Sequence, residues 1–248
     1  MNNRVAVVMA AGKGTRMKSE LPKVLIPVCG RAMIHYVLDA LETAGVDEMV
    51  VVIGYGADRV RQELAERSRV TFALQTEQLG TGHAVMVCRD RLSGHDGPVL
   101  VVAGDSPLMQ ADSIATLFEE YDRARPACIL GTSTKDNPQG LGRVVRDARG
   151  NFAKIVEEKD ATLEQRQITE VNLSCYVFNC RDLLGALEQI KADNSQREYY
   201  ITDCPGVLKS AGKDVRALNV LKPCEALSIN TMEELAVVEQ AMQEIQAC

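Results

Sequence analysis

Val5-Ala6-Val7-Val8-Met9-Ala10-Ala11-Gly12-Lys13-Gly14-Thr15-Arg16-Met17 is the stretch from which the fold can be read. Its first five residues are continuously apolar, the pattern of a strand buried on both faces. Such strands belong to parallel sheets with helices on either side. The glycine-rich segment after it is a turn at the strand's carboxyl end, where open α/β sheets place their ligand crevice. Two familiar glycine motifs do not fit. The dinucleotide fingerprint needs a third glycine at position 17, which is Met17, and no G-x-x-x-x-G-K-[ST] string occurs. What remains is either a turn whose bare N–H groups cradle phosphate or a turn and nothing more. Arg16 and, just past Pro22, Lys23 add a guanidinium fork and a point charge. Both suit a pentavalent phosphorus carrying extra negative charge.

Outward from this stretch, short apolar runs alternate with segments of helical period. Strands are expected at 49–53, 70–74 and 99–103, with helices at 33–44, 58–67, 82–91 and 112–125. This succession predicts a doubly wound, mostly parallel, Rossmann-like α/β sheet with right-handed crossovers. After 127–131 the rhythm changes. Residues 142–146 and 152–157 flank Asp147-Ala148-Arg149-Gly150, a hairpin signal. A strand at 171–178, helices near 182–190 and 205–211, a late strand at 215–220 and a closing helix at 231–246 complete the expectation. The second half reads as an antiparallel flap on the same sheet.

Composition excludes several function classes. The 248 residues carry 28 basic and 34 acidic side chains, a net charge of −6, and the basic residues are dispersed, which argues against a nucleic-acid surface. Hydrophobic residues make up 46%, but no run approaches the roughly 20 apolar residues of a membrane span. The first residues lack signal-peptide grammar, so a soluble, cytoplasmic protein is expected. Cys29, Cys88, Cys128, Cys175, Cys180, Cys204, Cys224 and Cys248 form no C-x-x-C pair and read as buried or half-buried free thiols. His35, His83 and His95 lie far apart, which disfavours a histidine metal site.

Two further segments carry chemistry. Val99-Leu100-Val101-Val102-Ala103-Gly104-Asp105 places a carboxylate at the carboxyl edge of a strand, beside the first loop. Mg²⁺ takes one or two carboxylates plus phosphate oxygens, so Asp105 suits it, although an Asp ahead of Pro107 is equally a turn cap. In Leu74-Gln75-Thr76-Glu77-Gln78-Leu79-Gly80-Thr81-Gly82-His83-Ala84, Gln75 can present an acceptor and donors to a pyrimidine edge. Gly80 and Gly82 admit a flat base close to the backbone; the bland alternative is a helix start with a Thr cap.

The combination Ala10-Ala11-Gly12-x-Gly14-Thr15-Arg16-Met17-x5-Pro22-Lys23 resembles the signature of the sugar-1-phosphate nucleotidyltransferases. With Gln75 to Ala84, Gly104-Asp105, Gly142-Arg143, Glu157-Glu158-Lys159-Asp160, Glu164 to Ile168, Glu198 to Asp203 and Asn230, it resembles the uridylyltransferase domains of the bacterial bifunctional enzymes that make UDP-N-acetylglucosamine. The resemblance runs from Arg4 to about Asn230. It implies that Ala11, Gly12, Gly14, Thr15, Gln75, Gln78, Gly80 and Thr81 hold the nucleotide of UTP. It implies that Arg16 and Lys23 activate the triphosphate, that Asp105 and Asn230 hold Mg²⁺, and that Gly142, Glu157, Asn172, Tyr200 and Thr202 hold the sugar-1-phosphate. No nucleic acid or membrane partner is implied, and the oligomeric state is left open.

On this resemblance the whole of 1–248 is expected to be one nucleotidyltransferase domain. It would comprise a nucleotide-binding half at 1–135, a sugar-binding flap with late strands at 136–230 and a closing helix at 231–248. The related enzymes continue into hexapeptide repeats that acetylate glucosamine-1-phosphate; no such repeat occurs here, so acetyl transfer is not expected of these residues. Two positions depart from the pattern. Asn172-Leu173-Ser174 stands where a small pair such as Thr-Gly usually follows the Asn, and Ala103 replaces a bulkier residue before Gly-Asp. Both bear on which sugar fits. Competing expectations are another sugar phosphate or nucleotide, a non-catalytic sugar-nucleotide sensor and, less readily, a dehydrogenase.

Overall fold

The computed structural model describes residues 3–246. In chain order its elements are β1 (Val5–Met9), β2 (Pro27–Val28), β3 (Arg31–Ala32), α1 (Met33–Thr43), β4 (Glu48–Ile53), α2 (Ala57–Glu63), β5 (Val70–Leu74), α3 (Thr81–Met86), α4 (Arg89–Leu92), β6 (Pro98–Ala103), α5 (Ala111–Ala124) and β7 (Cys128–Thr134). There follow β8 (Gly142–Arg146), β9 (Phe152–Val156), β10 (Glu170–Asn179), α6 (Cys180–Leu187), α7 (Asp203–Ser210), β11 (Val215–Asn219) and α8 (Met232–Gln246). The part of the expected closing segment at 247–248, with Cys248, lies outside the described residues.

Among the described residues one sheet runs β11-β7-β10-β6-β1-β4-β5, with the β8–β9 hairpin attached to the start of β10. The pairs β6–β1, β1–β4, β4–β5 and β7–β11 are parallel. β10 enters antiparallel between β6 and β7, so the mostly parallel sheet has an antiparallel portion at its heart. β1 explains why the sequence folds this way. Val5 and Val7 enter a core with Val85 of α3, Leu183 of α6 and Leu208 of α7, while Ala6 and Val8 enter another with Val37 of α1 and Leu117 of α5. Alternating residues thus bury into opposite helix layers, each valine side chain contributing about 1.5–3 kcal/mol. A third cluster seats α8, through Leu235, Val238 and Met242, against Met17, Val28 and Met33.

The hairpin signal is met. Gly150 takes φ 79°, its N–H donates to Asp147 O at 2.9 Å, and Asp147 N donates to Asn151 O at 2.8 Å. The helix expected at 82–91 divides into α3 and α4, because Cys88 and Arg91 make tight i→i−3 bonds to Val85 and Cys88. α2 ends at Glu63, short of the expected 67, and the β2–β3 ribbon has no counterpart in the expectation. Cys29 is exposed rather than buried, whereas Cys88, Cys128, Cys175, Cys180 and Cys204 are buried free thiols. Burial pushes the Cys88 thiol up to about 12, which leaves it inert. Among the described residues no helix is long and apolar enough to cross a membrane.

Candidate active site

Met9 stands opposite Ala103 in the β1–β6 register, so the loops leaving these strands run side by side. Gly14 takes φ 66°, and a Cβ there would stand 2.7 Å from Lys23 Cβ; only glycine lets the loop turn this closely over that side chain. Lys23, in a tight turn after Pro22, reaches Asp105 Oδ2 at 2.5 Å. Its Nζ also lies 3.0 Å from Asn230 Oδ1, to which Arg16 Nη2 donates at 2.8 Å. Asn230 is held just ahead of α8, its backbone N–H donating to Glu234 Oε2 at 2.6 Å. The fold therefore gathers Arg16, Lys23, Asp105 and Asn230 into one polar cluster.

The neighbouring wall is built at the end of β5. Gln75 is buried, its backbone N–H donates to Ile53 O, and its Nε2 contacts Gly80 O at 3.1 Å and His83 Nδ1 at 3.0 Å. Gln78 Nε2 donates to Ala11 O at 3.3 Å and so ties this wall to the first loop. Gly80, at φ 107°, has no room for a Cβ, which would stand 2.6 Å from Tyr199 O. Gly82 N donates to Tyr199 O at 2.7 Å, Tyr199 N to Leu79 O at 2.8 Å, and Ile201 N to Thr81 Oγ1 at 3.1 Å. This seam binds the 79–82 segment to the opposite wall.

That opposite wall carries hydroxyls and carboxylates. Burial pushes the Glu157 carboxyl up, against a hydrogen bond with Thr202 that pulls it down; Asp203 and Asp160 add like charge. Burial also raises the Tyr200 phenol, whose oxygen accepts from Gln196 Nε2 at 2.7 Å. Asp203 is raised by burial, with Asp193 and Asp160 nearby. Behind Glu157, Asn172 pairs with Gly142 across β10 and β8. Asn172 Nδ2 donates to Tyr176 Oη at 2.7 Å, and its buried Oδ1 has no partner. The ladder shifts register between Asn172 and Tyr176, and Ser174 takes φ 53° there.

The walls enclose a cleft of about 520 Å³. Ala11, Gly12, Arg16, Lys23 and Asp105 line one side and Gln75, Gln78, Gly80 and Thr81 the next, with Glu157, Tyr200 and Thr202 facing them. Gly14, Thr15, Gly142, Asn172 and Asn230 are not on its surface. Gly14 lies against Lys23, Thr15 opens an exposed turn, and Asn230 Oδ1 accepts from Arg16 and Lys23, which line the cleft. Of the two positions that depart from the related pattern, Ala103 lines the cleft but Leu173 does not; Leu173 packs on the α1–α5 core, and Ser174 lines the cleft instead. Gly140, Gln196 and Glu198, to which the sequence attaches no role, also line the cleft. Glu198 belongs to the 198–203 string, whereas Gly140 and Gln196 sit in irregular chain without period or motif. Chemically, the cationic end can hold a polyphosphate and the opposite wall a hydroxyl-rich group.

Residues 6–203 match the family profile described as the MobA-like NTP transferase domain. A protein of Limosilactobacillus reuteri named "Bifunctional protein GlmU" is 42% identical over 242 residues, 98% of this chain and 53% of the relative. One of the same name from Pelotomaculum thermopropionicum is 47% identical over 235 residues, 95% of this chain and 51% of the relative. The chain thus spans about half the length of the curated relatives it matches. Among solved structures, a UDP-glucose pyrophosphorylase complexed with UDP-glucose superposes with a TM-score of 0.77 at 15% identity, covering 98% of this chain and 99% of that one. An apo UDP-glucose pyrophosphorylase gives the same TM-score over 99% and 100%. Both are similar in fold.

Proposed function

The chain belongs to the MobA-like NTP transferase domain family, and from that premise we propose that it transfers UMP from UTP to N-acetylglucosamine-1-phosphate, yielding UDP-N-acetylglucosamine and pyrophosphate. The observation that carries this reading is the meeting of Arg16, Lys23, Asp105 and Asn230 at one end of a cleft whose far wall bears Glu157, Tyr200 and Thr202. The nucleobase rests on Gln75 and Gln78 and on the backbone of Ala11, Gly12, Gly80 and Thr81, with Gly14 and Thr15 shaping the loop below the triphosphate. The relatives' name and the 42–47% identity support the choice of substrates.

The chemistry asks little acid–base work of the protein. A phosphate oxygen of the sugar-1-phosphate, already an anion, attacks the α-phosphorus in line as the bond to pyrophosphate breaks. Arg16 and Lys23 bind the phosphates and neutralise charge that grows in the transition state, while the two walls hold attacker and leaving group in line. Glu157, Tyr200 and Thr202 accept and donate to sugar hydroxyls, with Gly142 and Asn172 shaping the floor behind them.

Mg²⁺ fits the residues present. Asp105 Oδ2 and Asn230 Oδ1 are hard oxygen donors that both close on the Lys23 ammonium, a cation already held between them. Asp105 and Asn230 would hold the ion together with substrate phosphate oxygens, and when bound it supplies Lewis-acid stabilisation of those oxygens. Among the described residues no group of three or more His, Cys, Asp or Glu is gathered that could hold a metal.

Pyrophosphate release from the purified chain with UTP, Mg²⁺ and N-acetylglucosamine-1-phosphate tests the reading. Glucosamine-1-phosphate and glucose-1-phosphate run in parallel, with an EDTA control. Metal-dependent release with the acetylated sugar is expected. Release only with another sugar would move the acceptor and point to Ser174 and Ala103. Tight UDP-sugar binding without release would make the chain a sensor.

A further inference from the structure

Gln75 sits buried past the end of β5, where its side-chain amide meets two protein groups. Nε2 lies 3.1 Å from Gly80 O and 3.0 Å from His83 Nδ1. A carbonyl oxygen only accepts, so the amide must turn its NH₂ toward Gly80. The second hydrogen of that NH₂ then goes to His83, which makes Nδ1 the bare ring nitrogen and places the proton on Nε2. Both Gln75 hydrogens are therefore spent inside the protein. Among the described residues no donor is bonded to Gln75 Oε1; Gln75 lines the cleft, and His83 stands behind it.

We propose that His83 is a positioning residue that sets the base preference of the site, locking the Gln75 amide so that it meets the nucleobase as an acceptor alone. The inference rests on the nucleotide reading given above. An acceptor at this place answers a ring N–H, as uracil offers at N3. Cytosine has a bare nitrogen there, and lone pair would face lone pair. Without His83 one amide hydrogen is unspent and free to swing toward the base, and Gln75 then serves cytosine as well as uracil. A buried polar group left unpaired by the wrong base is the strongest source of such discrimination.

The test is kcat/KM for UTP and CTP, at saturating N-acetylglucosamine-1-phosphate and Mg²⁺, for the wild type, His83→Leu and His83→Asn. In His83→Leu the UTP-over-CTP ratio should fall roughly tenfold, mainly through the nucleotide KM, with the sugar-phosphate KM unchanged. His83→Asn places an acceptor oxygen where Nδ1 stood and should restore most of the ratio. Nitrogen-15 spectra of the wild type, which has three histidines, supply a readout that needs no variant: His83 bare at Nδ1 and protonated at Nε2. Should the Leu variant fail to fold, the Asn variant and the tautomer still decide. A His83 protonated at Nδ1, or a Leu variant that keeps the wild-type ratio, overturns the role of His83 and leaves UTP use standing. A wild-type chain that does not distinguish UTP from CTP overturns the nucleotide reading and His83 with it.

Discussion

The two walls of the cleft are positioned by different means. On the cationic side, Arg16, Lys23 and Asp105 stand on loops leaving parallel strands whose register is fixed, Met9 lying opposite both Val52 and Ala103. On the other side, Glu157, Ser174, Tyr200 and Thr202 come from antiparallel strands and irregular chain, drawn in by long-range bonds such as Gly82 N to Tyr199 O. Their electrostatics differ as well. Lys23 is paired with Asp105, whereas burial pushes Glu157, Tyr200 and Asp203 up and leaves Asn172 Oδ1 without a partner. The cationic wall is preorganised for charge; the opposite wall lines the cleft with Glu157, Tyr200 and Thr202, polar groups that a hydroxylated ligand can bond. Substitutions on the first should strike turnover, and on the second acceptor affinity and stability.

Lys23→Ala puts the largest expected effect on this contrast. kcat should fall about 10²–10³-fold, the usual loss for one preorganised transition-state donor, while the melting temperature hardly moves. Pyrophosphate release and thermal unfolding read the two quantities. Equal losses in both would make Lys23 a structural strut and erase the distinction. Next is the seam between the walls. A Cβ at Gly82 would stand 2.6 Å from Ile190 Cδ1 and 2.9 Å from Tyr199 O, so Gly82→Ala should destabilise by about 1–3 kcal/mol in urea titrations. An unchanged midpoint would mean that the 198–201 segment is not pinned there.

The same contrast separates what the sequence discloses from what it hides. The first loop is legible because its chemistry is local: a buried strand, a glycine that takes φ 66°, then Arg16 and Lys23 a short way along the same loop. Asp105 is legible for the same reason, as the residue at a strand end. Nothing local announces that β10 enters between β6 and β7, because that choice is made by pairing over tens of residues. It fixes which residue of Asn172-Leu173-Ser174 faces the cleft. Departure from the related pattern singles out Leu173; at the register shift it is Leu173 that packs on the core and Ser174 that lines the cleft. Gln196 and Gly140 are hidden likewise, being brought to the cleft by tertiary contacts alone.

Glu157→Gln sharpens the account of the polar wall with a smaller effect. Because burial raises this carboxyl, the folded chain holds more protons than the unfolded one between the ordinary value of 4.5 and the raised value. Folded stability therefore drops as pH climbs through that window. The amide removes this slope. Glu157→Gln should match the wild type below the ordinary carboxylate range and gain on it steadily above, read as the difference in melting temperature between pH 4 and pH 8. The sugar-phosphate KM should rise while the UTP KM stays put. A difference that does not change with pH would show that Glu157 is solvated rather than held in a partner-poor wall.

The smallest effect lies at Ser174, where the two roles of the polar wall can be pulled apart. Its φ of 53° is a left-handed conformation that costs a side-chain-bearing residue on the order of 1 kcal/mol, and glycine adopts it freely. Ser174→Gly relieves that strain but loosens the unfolded chain and forfeits the Ser174 hydrogen bond to buried Tyr176, so the net change in stability should lie within about 1 kcal/mol of zero. Leu173→Thr, by contrast, removes apolar contact from the α1–α5 core without touching the cleft, and should cost stability while leaving the ratio of kcat/KM among sugar phosphates unchanged. Ser174→Gly should do the reverse: stability roughly held, the relieved strain offsetting the lost hydrogen bond to Tyr176, and that ratio shifted, because the residue altered lines the cleft. If Leu173→Thr moves the ratio and Ser174→Gly does not, the register of β10 is one residue away from that described, and the wall would have to be rebuilt from its bulge outward.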